Sequence, residues 1–274
     1  MSFVHGLGFR ATLLVLTVAT IVGMMLASGT NAGPRLIWHD EFSGAGPLQT
    51  TTWTHEVGGA GWGNDELETY TSRPTNSYLD GRGHLALVAQ RERYAGRDGI
   101  VRDYTSAKLV TKGRFSFEHG RVAARIQIPS GPGIWPGFWL VGADLDRVGW
   151  PAAGEIDVME VNGRKPEKVH GTAHGPGPQG TAEFGGSATL PQSLASGFHV
   201  YGMNWTRSEI QFTLDGETYA TVERANLPTD TPWAFDRRMF LILNVAVGGT
   251  LPGPPTLQTT FPARMLVDWI RIWR

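Results

Sequence analysis

The stretch Gly154-Glu155-Ile156-Asp157-Val158-Met159-Glu160 alternates acidic with apolar residues. Successive side chains of a β-strand point to opposite faces, so Glu155 and Asp157 share one face. Strict alternation would turn Glu160 toward the buried face, where an unpaired carboxylate is costly. A β-bulge between Asp157 and Glu160 adds one residue and returns Glu160 to the acidic face. We therefore predict three carboxylates on one face of a bulged strand.

Three carboxylates in this arrangement suit the cleavage of a glycosidic bond. One carboxylate can attack or stabilise the sugar while another donates a proton to the leaving oxygen. The acid between them can hold a proton and keep the pKa values of its neighbours apart. Two other interpretations stay open at this point, an exposed acidic strand and an acidic cluster that binds Ca²⁺.

The composition narrows the class of protein. The 274 residues include 24 basic and 25 acidic side chains, a net charge of −1, so no nucleic-acid partner is expected. The 36 Gly and 17 Pro residues are spread along the chain, which favours many short strands over long helices. Ten Trp residues exceed the need of a core of this size, so some are expected to face a ligand.

The N-terminal residues 1–32 read as an export signal. Arg10 precedes the uncharged run 11–26, which is followed by small residues. Cleavage after Gly29 or Ala32 is expected, and a retained anchor is the alternative, although the run is shorter than the ~20 residues of a spanning helix. We predict a signal peptide at 1–32 and a secreted, extracellular catalytic domain at 33–274. This domain is expected to be monomeric, without stable membrane association, and it has no Cys for disulfides.

Strand patterns recur along the mature chain, whereas no stretch of eighteen residues after the signal shows helical periodicity. Asp215-Gly216 separates two alternating segments and predicts a type I′ hairpin turn. The predicted strands are 36–42, 84–89, 122–128, 198–205, 210–214, 217–222, 240–247 and 265–273. The chain is therefore predicted to be one all-β domain, a sandwich or a jelly roll.

Aromatic residues close to the acidic stretch are candidates for sugar binding. Trp135 and Trp139 are four apart and share a face of an extended segment, and Trp150 lies just before the acidic strand. Aromatic planes stack on the apolar faces of sugar rings. A core position is the alternative, chiefly for Trp139.

His170 and His174 have the spacing of metal ligands on a helix, but Gly171 and Gly175 argue against a helix there. A zinc site is therefore not expected. Donation from His174 to a substrate hydroxyl is the preferred interpretation.

Asp268 lies among apolar residues of the last predicted strand, where a buried carboxylate needs a cationic partner. One hypothesis is a structural Ca²⁺ bound by Asp268 with oxygens near Glu41 and Gly83. An ion pair with a buried arginine is the alternative.

These residues resemble glycoside hydrolase family 16, in the bulged form typical of laminarinases. The likeness covers nearly the whole mature chain and rests on the acidic stretch together with several motifs in matching order. These are Trp38-His39-Asp40-Glu41-Phe42, Gly61-Trp62-Gly63-Asn64, Tyr104-Thr105-Ser106-Ala107, Gly133-Ile134-Trp135-Pro136, Gly149-Trp150-Pro151, His174-Gly175-Pro176-Gly177 and Asn244-Val245-Ala246-Val247-Gly248-Gly249.

The resemblance implies a concanavalin-like β-jelly-roll sandwich with a concave cleft, and retaining hydrolysis of internal β-1,3-glucosidic bonds in a polysaccharide. It assigns Glu155 as nucleophile, Glu160 as general acid/base and Asp157 as the residue that tunes the nucleophile. No cofactor is implied for catalysis. The implied sugar contacts are Asn64, Lys108, Trp135, Trp139, Trp150 and His174, and the implied Ca²⁺ site comprises Glu41, Gly83 and Asp268.

Three positions depart from the family pattern. Lys108 stands where arginine is more usual, and lysine lacks the planar fork of arginine. Asp65 and Glu68 replace asparagine and glutamine. The alternatives within the family are a mixed-linkage β-1,3-1,4-glucanase, a transglycosylase and an enzyme acting on a red-algal galactan. A non-catalytic β-glucan-binding protein is the alternative of another class, although such proteins can lose the glutamates that persist here.

Overall fold

The computed structural model describes residues 33–48 and 51–274. The predicted signal peptide, residues 1–32, lies outside this range and stays a prediction. Within the described residues, no helix is long and apolar enough to cross a membrane.

Strands form nearly all of the regular structure. The first ten are β1 (Leu36–Asp40), β2 (Ala45–Gly46), β3 (Thr54–Glu56), β4 (Glu68–Tyr70), β5 (Ser77–Asp80), β6 (Leu85–Ala95), β7 (Val101–Ser106), β8 (Lys108–Val110), β9 (Gly120–Gln127) and β10 (Ile134–Gly142). The remainder are β11 (Glu155–Glu160), β12 (Lys168–Gly177), β13 (Gly180–Thr189), β14 (His199–Trp205), β15 (Glu209–Leu214), β16 (Glu217–Glu223), β17 (Met239–Val247) and β18 (Ala263–Trp273). One short helix, α1 (Leu145–Val148), and two 3₁₀ turns (Leu194–Ser196 and Arg224–Asn226) complete the described secondary structure.

The strands form two large, mainly antiparallel sheets. One has seven strands in the order β13-β12-β11-β10-β17-β8-β3. The other has eleven and runs β16-β15-β14-β9-β18-β6-β5-β2, with β1 beside β18, β7 beside β6 and β4 parallel to β7. Side chains from both sheets, such as Ile126 of β9 and Phe138 of β10, belong to one buried apolar cluster. The molecule is therefore a two-sheet β-sandwich, as the sequence predicts.

Strand β17 shows how the sequence pattern positions the site. Its nine residues are all buried, which agrees with the central position expected of an apolar strand. Leu243 and Val245 face the main core, whereas Ile242 packs with Trp139 on the opposite face. Asn244 shares this opposite face, the one that carries the cavity described below.

The predicted hairpin is confirmed. Asp215 and Gly216 connect β15 to β16, and both have positive φ angles, 52° and 92°. A type I′ turn requires left-handed backbone at both central residues, which Asp and Gly adopt with little strain. The jelly-roll class is also confirmed, because the described chain is almost entirely β and folds into two antiparallel layers.

Candidate active site

The bulge in β11 is present where the alternation of acidic and apolar residues predicts it. The pairing of β11 with β12 shifts between Asp157 and Glu160, and the pairing with β10 skips Val158. Ile156, Val158 and Met159 are buried in the core. Glu155, Asp157 and Glu160 instead line a common cavity on the other face of the sheet. One extra residue therefore brings all three carboxyls to one surface.

The cavity holds about 300 Å³ and lies over β10, β11 and β17. Five of the predicted sugar-binding residues line it, namely Asn64, Trp135, Trp139, Trp150 and His174. Aromatic walls with a few convergent polar groups are typical of a small-molecule or saccharide site. The fold thus brings together residues from strands and loops that are far apart in the sequence.

Each outer glutamate has an indole donor of its own. Trp150 Nε1 donates to Glu155 Oε2 at 3.0 Å, and Trp135 Nε1 donates to Glu160 Oε1 at 3.0 Å. Indole N–H groups only donate, so each bond favours the ionised form of its carboxyl. The two glutamates are therefore held by separate residues and can be perturbed one at a time.

Burial raises the pKa of Glu155, Asp157 and Glu160 above the usual range of carboxyl groups. Repulsion within the trio acts in the same direction: Asp157 raises the pKa of Glu155, and Glu155 raises that of Glu160. His174 and the two indole hydrogen bonds act in the opposite direction on the glutamates. Because their pKa values are raised, one of the three carboxyl groups can keep its proton near neutral pH while another is ionised. Acid/base catalysis requires such a combination.

His174 lies against the middle carboxyl. On β12 it is directly opposite Glu155, and its Nε2 lies 2.9 Å from Asp157 Oδ2. Its other ring nitrogen is 3.6 Å from Glu183 Oε1. An imidazole in this position can stabilise negative charge on the trio and present an N–H to the cavity.

The metal alternatives fit this site poorly. Ligand atoms of Glu155, Asp157 and His174 lie within 4.8 Å of one another. Calcium prefers six to eight oxygen ligands, so a set of two carboxylates and one imidazole is a weak match. His170 belongs to no cluster of metal-ligating side chains among the described residues, whereas His174 belongs to the one with Glu155 and Asp157.

Glu155 and Glu160 line one cavity, and each accepts a hydrogen bond from its own indole. Glycoside hydrolases use such a pair of carboxyl groups to cleave the glycosidic bond. The model of the family "Glycosyl hydrolases family 16" matches residues 64–271, which include the whole acidic strand. The chain belongs to glycoside hydrolase family 16. It is therefore an enzyme of the glycoside hydrolase class, as the resemblance implies.

Known glucanases are similar to this protein over most of its chain. A β-glucanase of Rhodothermus marinus is 38% identical over 279 residues, covering 97% of this chain and 94% of the relative. The catalytic domain of an endo-1,3-β-glucanase (laminarinase) from Thermotoga petrophila superposes with a TM-score of 0.83 at 38% identity, covering 88% and 98% of the two chains. An endo-β-1,3-glucanase from Pyrococcus furiosus gives a TM-score of 0.82 at 39% identity, covering 88% and 94%.

Lys108 occupies a different place from the one expected of a sugar ligand, because it is absent from the residues that line the cavity. Its Nζ pairs with Glu56 Oε2 at 3.0 Å and lies over the rings of Trp62 and Trp139, 4.3 and 4.9 Å from their centroids. Only 9% of the side chain is exposed. A lysine ammonium needs no planar fork for such a cation–π contact, so it can support the indoles where arginine is more usual.

Several cavity residues were not identified from the sequence. They are Glu66, Gly137, Glu183, Asn244, Thr250 and Leu251. Asn244 did carry a signal, because it is the one polar residue in the apolar run of β17. Glu66 comes two residues after the motif Gly61-Trp62-Gly63-Asn64, and only 5% of it is exposed. The polar residues before it give no sign in the sequence that this glutamate is buried.

The surroundings of Glu68 explain why an acid is tolerated where the family commonly has glutamine. The side chain is fully buried, and Oε2 accepts a 2.7 Å hydrogen bond from the N–H of Val247. Burial and the neighbouring Glu66 raise the pKa of Glu68 well above its usual range. The neutral carboxylic acid has nearly the shape of a glutamine side chain and retains one hydrogen to donate.

The predicted calcium residues lie near one another on the other sheet. Glu41 follows β1, which pairs with β18, and Gly83 precedes β6, which pairs with the same strand beside Asp268. Arg271 donates to both oxygens of Glu41 at 2.8 and 2.9 Å, and Arg125 Nη1 lies 2.5 Å from Asp268 Oδ2.

The expectation of a buried Asp268 is wrong, because 28% of its side chain is exposed. The β18–β9 pairing is irregular between Val267 and Trp269, and the strand is only half-buried. Carboxylate and carbonyl oxygens fit Ca²⁺ by type. Asp268 nevertheless pairs with an arginine, as in the alternative that the sequence left open, but Arg125 is 39% exposed and not buried. Glu41 has an arginine partner as well, Arg271. Calcium at Glu41, Gly83 and Asp268 stays a prediction.

Proposed function

We propose that this family 16 enzyme is a retaining endo-β-1,3-glucanase that cleaves internal bonds of laminarin-like β-glucans. The observation that carries the proposal is the pair Glu155 and Glu160, which line one cavity and receive separate hydrogen bonds from Trp150 and Trp135. The similar enzymes of Thermotoga petrophila and Pyrococcus furiosus are endo-1,3-β-glucanases, which supports the β-1,3 linkage.

In the proposed reaction, Glu155 attacks the anomeric carbon while Glu160 protonates the departing glycosidic oxygen. Glu160 then removes a proton from water, which displaces Glu155 and releases the sugar with its original configuration. Asp157 lies between the two on the same face, with His174 against it. It is proposed to hold a proton and to stabilise the carboxylate of Glu155 before the attack and when water releases it.

The cavity supports action on an extended chain. Trp135, Trp139 and Trp150 supply aromatic surfaces, and 52% of Trp150 is exposed. Stacking on the apolar faces of glucosyl units leaves their hydroxyls free to bond with Asn64 and His174. Binding of glucosyl units on both sides of the cleaved bond would favour internal over terminal cleavage.

A panel of polysaccharides tests the proposal. Purified protein is incubated with laminarin, curdlan, lichenan and agarose, and the early products are separated by chromatography. We expect an oligosaccharide ladder from laminarin, whereas glucose as the sole product would indicate exo action. Cleavage of lichenan without laminarin would assign the enzyme to mixed-linkage glucan. The first product seen by NMR should have the β configuration, and an α anomer would overturn retention.

Secretion is the second part of the proposal and rests on residues 1–32. Export is tested by expressing the full chain and measuring the intact mass of the protein in the medium. We expect the mass of a chain that has been cleaved after Gly29 or Ala32. A cell-bound protein that keeps residues 1–32 would instead favour the anchor.

A further inference from the structure

Trp139 is fixed at its edge by a residue of the neighbouring strand. Its Nε1 donates to Asn244 Oδ1 at 2.8 Å. Gly137 lies directly opposite Asn244 in the β10–β17 pairing. A Cβ atom at position 137 would lie 2.6 Å from Asn244 Oδ1 and 3.3 Å from Trp139 Cδ1. The absence of a side chain at Gly137 therefore allows the amide and the indole to meet.

The hydrogen bonds continue from Asn244 into the wall of the cavity. Asn244 Nδ2 donates to the hydroxyl of Tyr70 at 2.9 Å, and this hydroxyl donates to Glu66 Oε2 at 2.9 Å. Asn64 Nδ2 reaches the other oxygen of Glu66 at 3.3 Å. Tyr70, Glu66 and Asn244 are all buried, with exposures of 1%, 5% and 8%. A buried donor or acceptor that loses its hydrogen-bond partner destabilises the fold, so these hydrogen bonds are expected to persist.

The direction of every bond in this relay follows from the chemistry of its members. An indole N–H can only donate, so Trp139 must face the oxygen of the Asn244 amide. The NH₂ group of that amide then faces Tyr70, whose single proton is left for Glu66. The relay has to end on an acceptor, and Glu66 Oε2 supplies it.

We propose that Glu66, Tyr70 and Asn244 are positioning residues that fix the plane of Trp139 for sugar stacking. Trp139 pairs with Asp157 of the catalytic strand and lines the same cavity. Its ring also lies under the ammonium of Lys108, so the indole is held at its edge and on one face. The inference rests on the proposed function, since it concerns how that site holds a glucan.

Loss of the Tyr70 hydroxyl should weaken binding of the glucan more than it slows bond cleavage. The carboxyl groups of Glu155 and Glu160 have their own indole donors and are not members of the relay. A released Trp139 can leave its stacking plane, which costs affinity. The expected result for Tyr70→Phe is therefore a rise in KM of roughly fivefold to tenfold, with kcat within about twofold.

Tyr201→Phe is the matched control. Tyr201 is a fully buried tyrosine of β14 whose hydroxyl has no hydrogen-bond partner among the described residues. Removing that hydroxyl should leave KM and kcat unchanged. Thermal melting of both variants shows whether a change in binding merely reflects lower stability.

Coupling to Trp139 separates positioning from a structural role. Laminaripentaose binding is measured by calorimetry in the Glu155→Gln background for Tyr70→Phe, Trp139→Phe and the double variant. If Tyr70 acts through Trp139, the double variant should bind no more weakly than Trp139→Phe alone, because the two losses overlap. Glu66→Gln keeps the shape but puts an amide NH₂ where one carboxyl oxygen now accepts a hydrogen bond from Tyr70 or Asn64. It should also weaken binding, and it serves if Tyr70→Phe does not fold.

Two results would overturn the inference while leaving the proposed function intact. The first is a Tyr70→Phe variant that binds the glucan as tightly as Tyr201→Phe does. The second is a double variant whose loss of affinity equals the sum of the losses in Tyr70→Phe and Trp139→Phe. Failure of the wild-type protein to bind or cleave laminari-oligosaccharides is a different result. It would remove the proposed function and this inference together.

Discussion

Trp135 Nε1 donates a 3.0 Å hydrogen bond to Glu160 Oε1, the carboxyl proposed to protonate the leaving group. The indole therefore lowers the pKa of a group that burial and Glu155 raise. The proposed general acid is thus poised by two opposing influences. This bond can be removed without touching the acid itself.

Trp135→Phe should move the basic limb of the pH–rate profile to higher pH. Without the indole hydrogen bond the ionised form of Glu160 is less stable, so the pKa of Glu160 rises and the acid keeps its proton longer. The measurement is kcat/KM on laminarin between pH 4 and 10. A basic limb that stays in place or moves to lower pH contradicts this role.

Trp150→Phe is the counterpart and should move the acidic limb instead. Trp150 bonds Glu155, so loss of its N–H raises the pKa of the proposed nucleophile. The enzyme then needs a higher pH before Glu155 is ionised. Opposite assignments of the two limbs would mean that the roles of the glutamates are exchanged.

Substitutions of Glu160 and Glu155 should differ in how their activity depends on the leaving group of the substrate. Glu160→Gln should slow laminarin cleavage by about 10²–10⁴-fold, yet release dinitrophenol from an activated aryl glycoside, which needs no proton donor. Glu155→Gln should be inactive on both substrates, because no covalent intermediate can form. Circular dichroism of both variants verifies that the fold is retained.

Glu68→Gln should stabilise the enzyme, and more so at high pH. The pKa of Glu68 is raised in the fold, so the stabilisation it provides is present below pH ~4.3 and is lost as pH rises toward the folded value. Glutamine has no proton to lose. We expect a Tm gain at pH 8 of about 2–4 °C for each kcal/mol recovered, and a smaller gain at pH 4.

The control for this variant is Glu217→Gln, at an exposed glutamate of β16. It should leave the melting temperature nearly unchanged at both pH values. A gain for Glu68→Gln that is the same at pH 4 and pH 8 would show that Glu68 is not held neutral in the fold.

The calcium prediction is tested by melting in EDTA and in excess CaCl₂. Calcium bound near Glu41, Gly83 and Asp268 would stabilise the folded state by mass action, so EDTA should lower the Tm and CaCl₂ restore it. Asp268→Asn should remove the difference. Equal melting temperatures in the wild-type protein would assign these carboxylates to Arg271 and Arg125 alone.

Local patterning of the sequence was sufficient for much of the fold. Alternation identified the strands, Asp215-Gly216 identified the hairpin, and the cost of burying Glu160 identified the bulge. Each of these depends on backbone geometry within a few residues or on which face of a strand is apolar. A single chain carries that information without knowledge of its tertiary partners.

Only the tertiary structure decided which side chains meet across the sheets. Asn244 reaches Tyr70, 174 residues away, and Lys108 lies over the ring of Trp139 instead of in the cavity. Asp268 faces Arg125 at a half-exposed position, where the sequence suggested a buried acid. Alternation specifies the face of a strand but neither its neighbours nor the depth of a polar side chain. Those depend on strand order and packing, which here join residues from opposite ends of the chain.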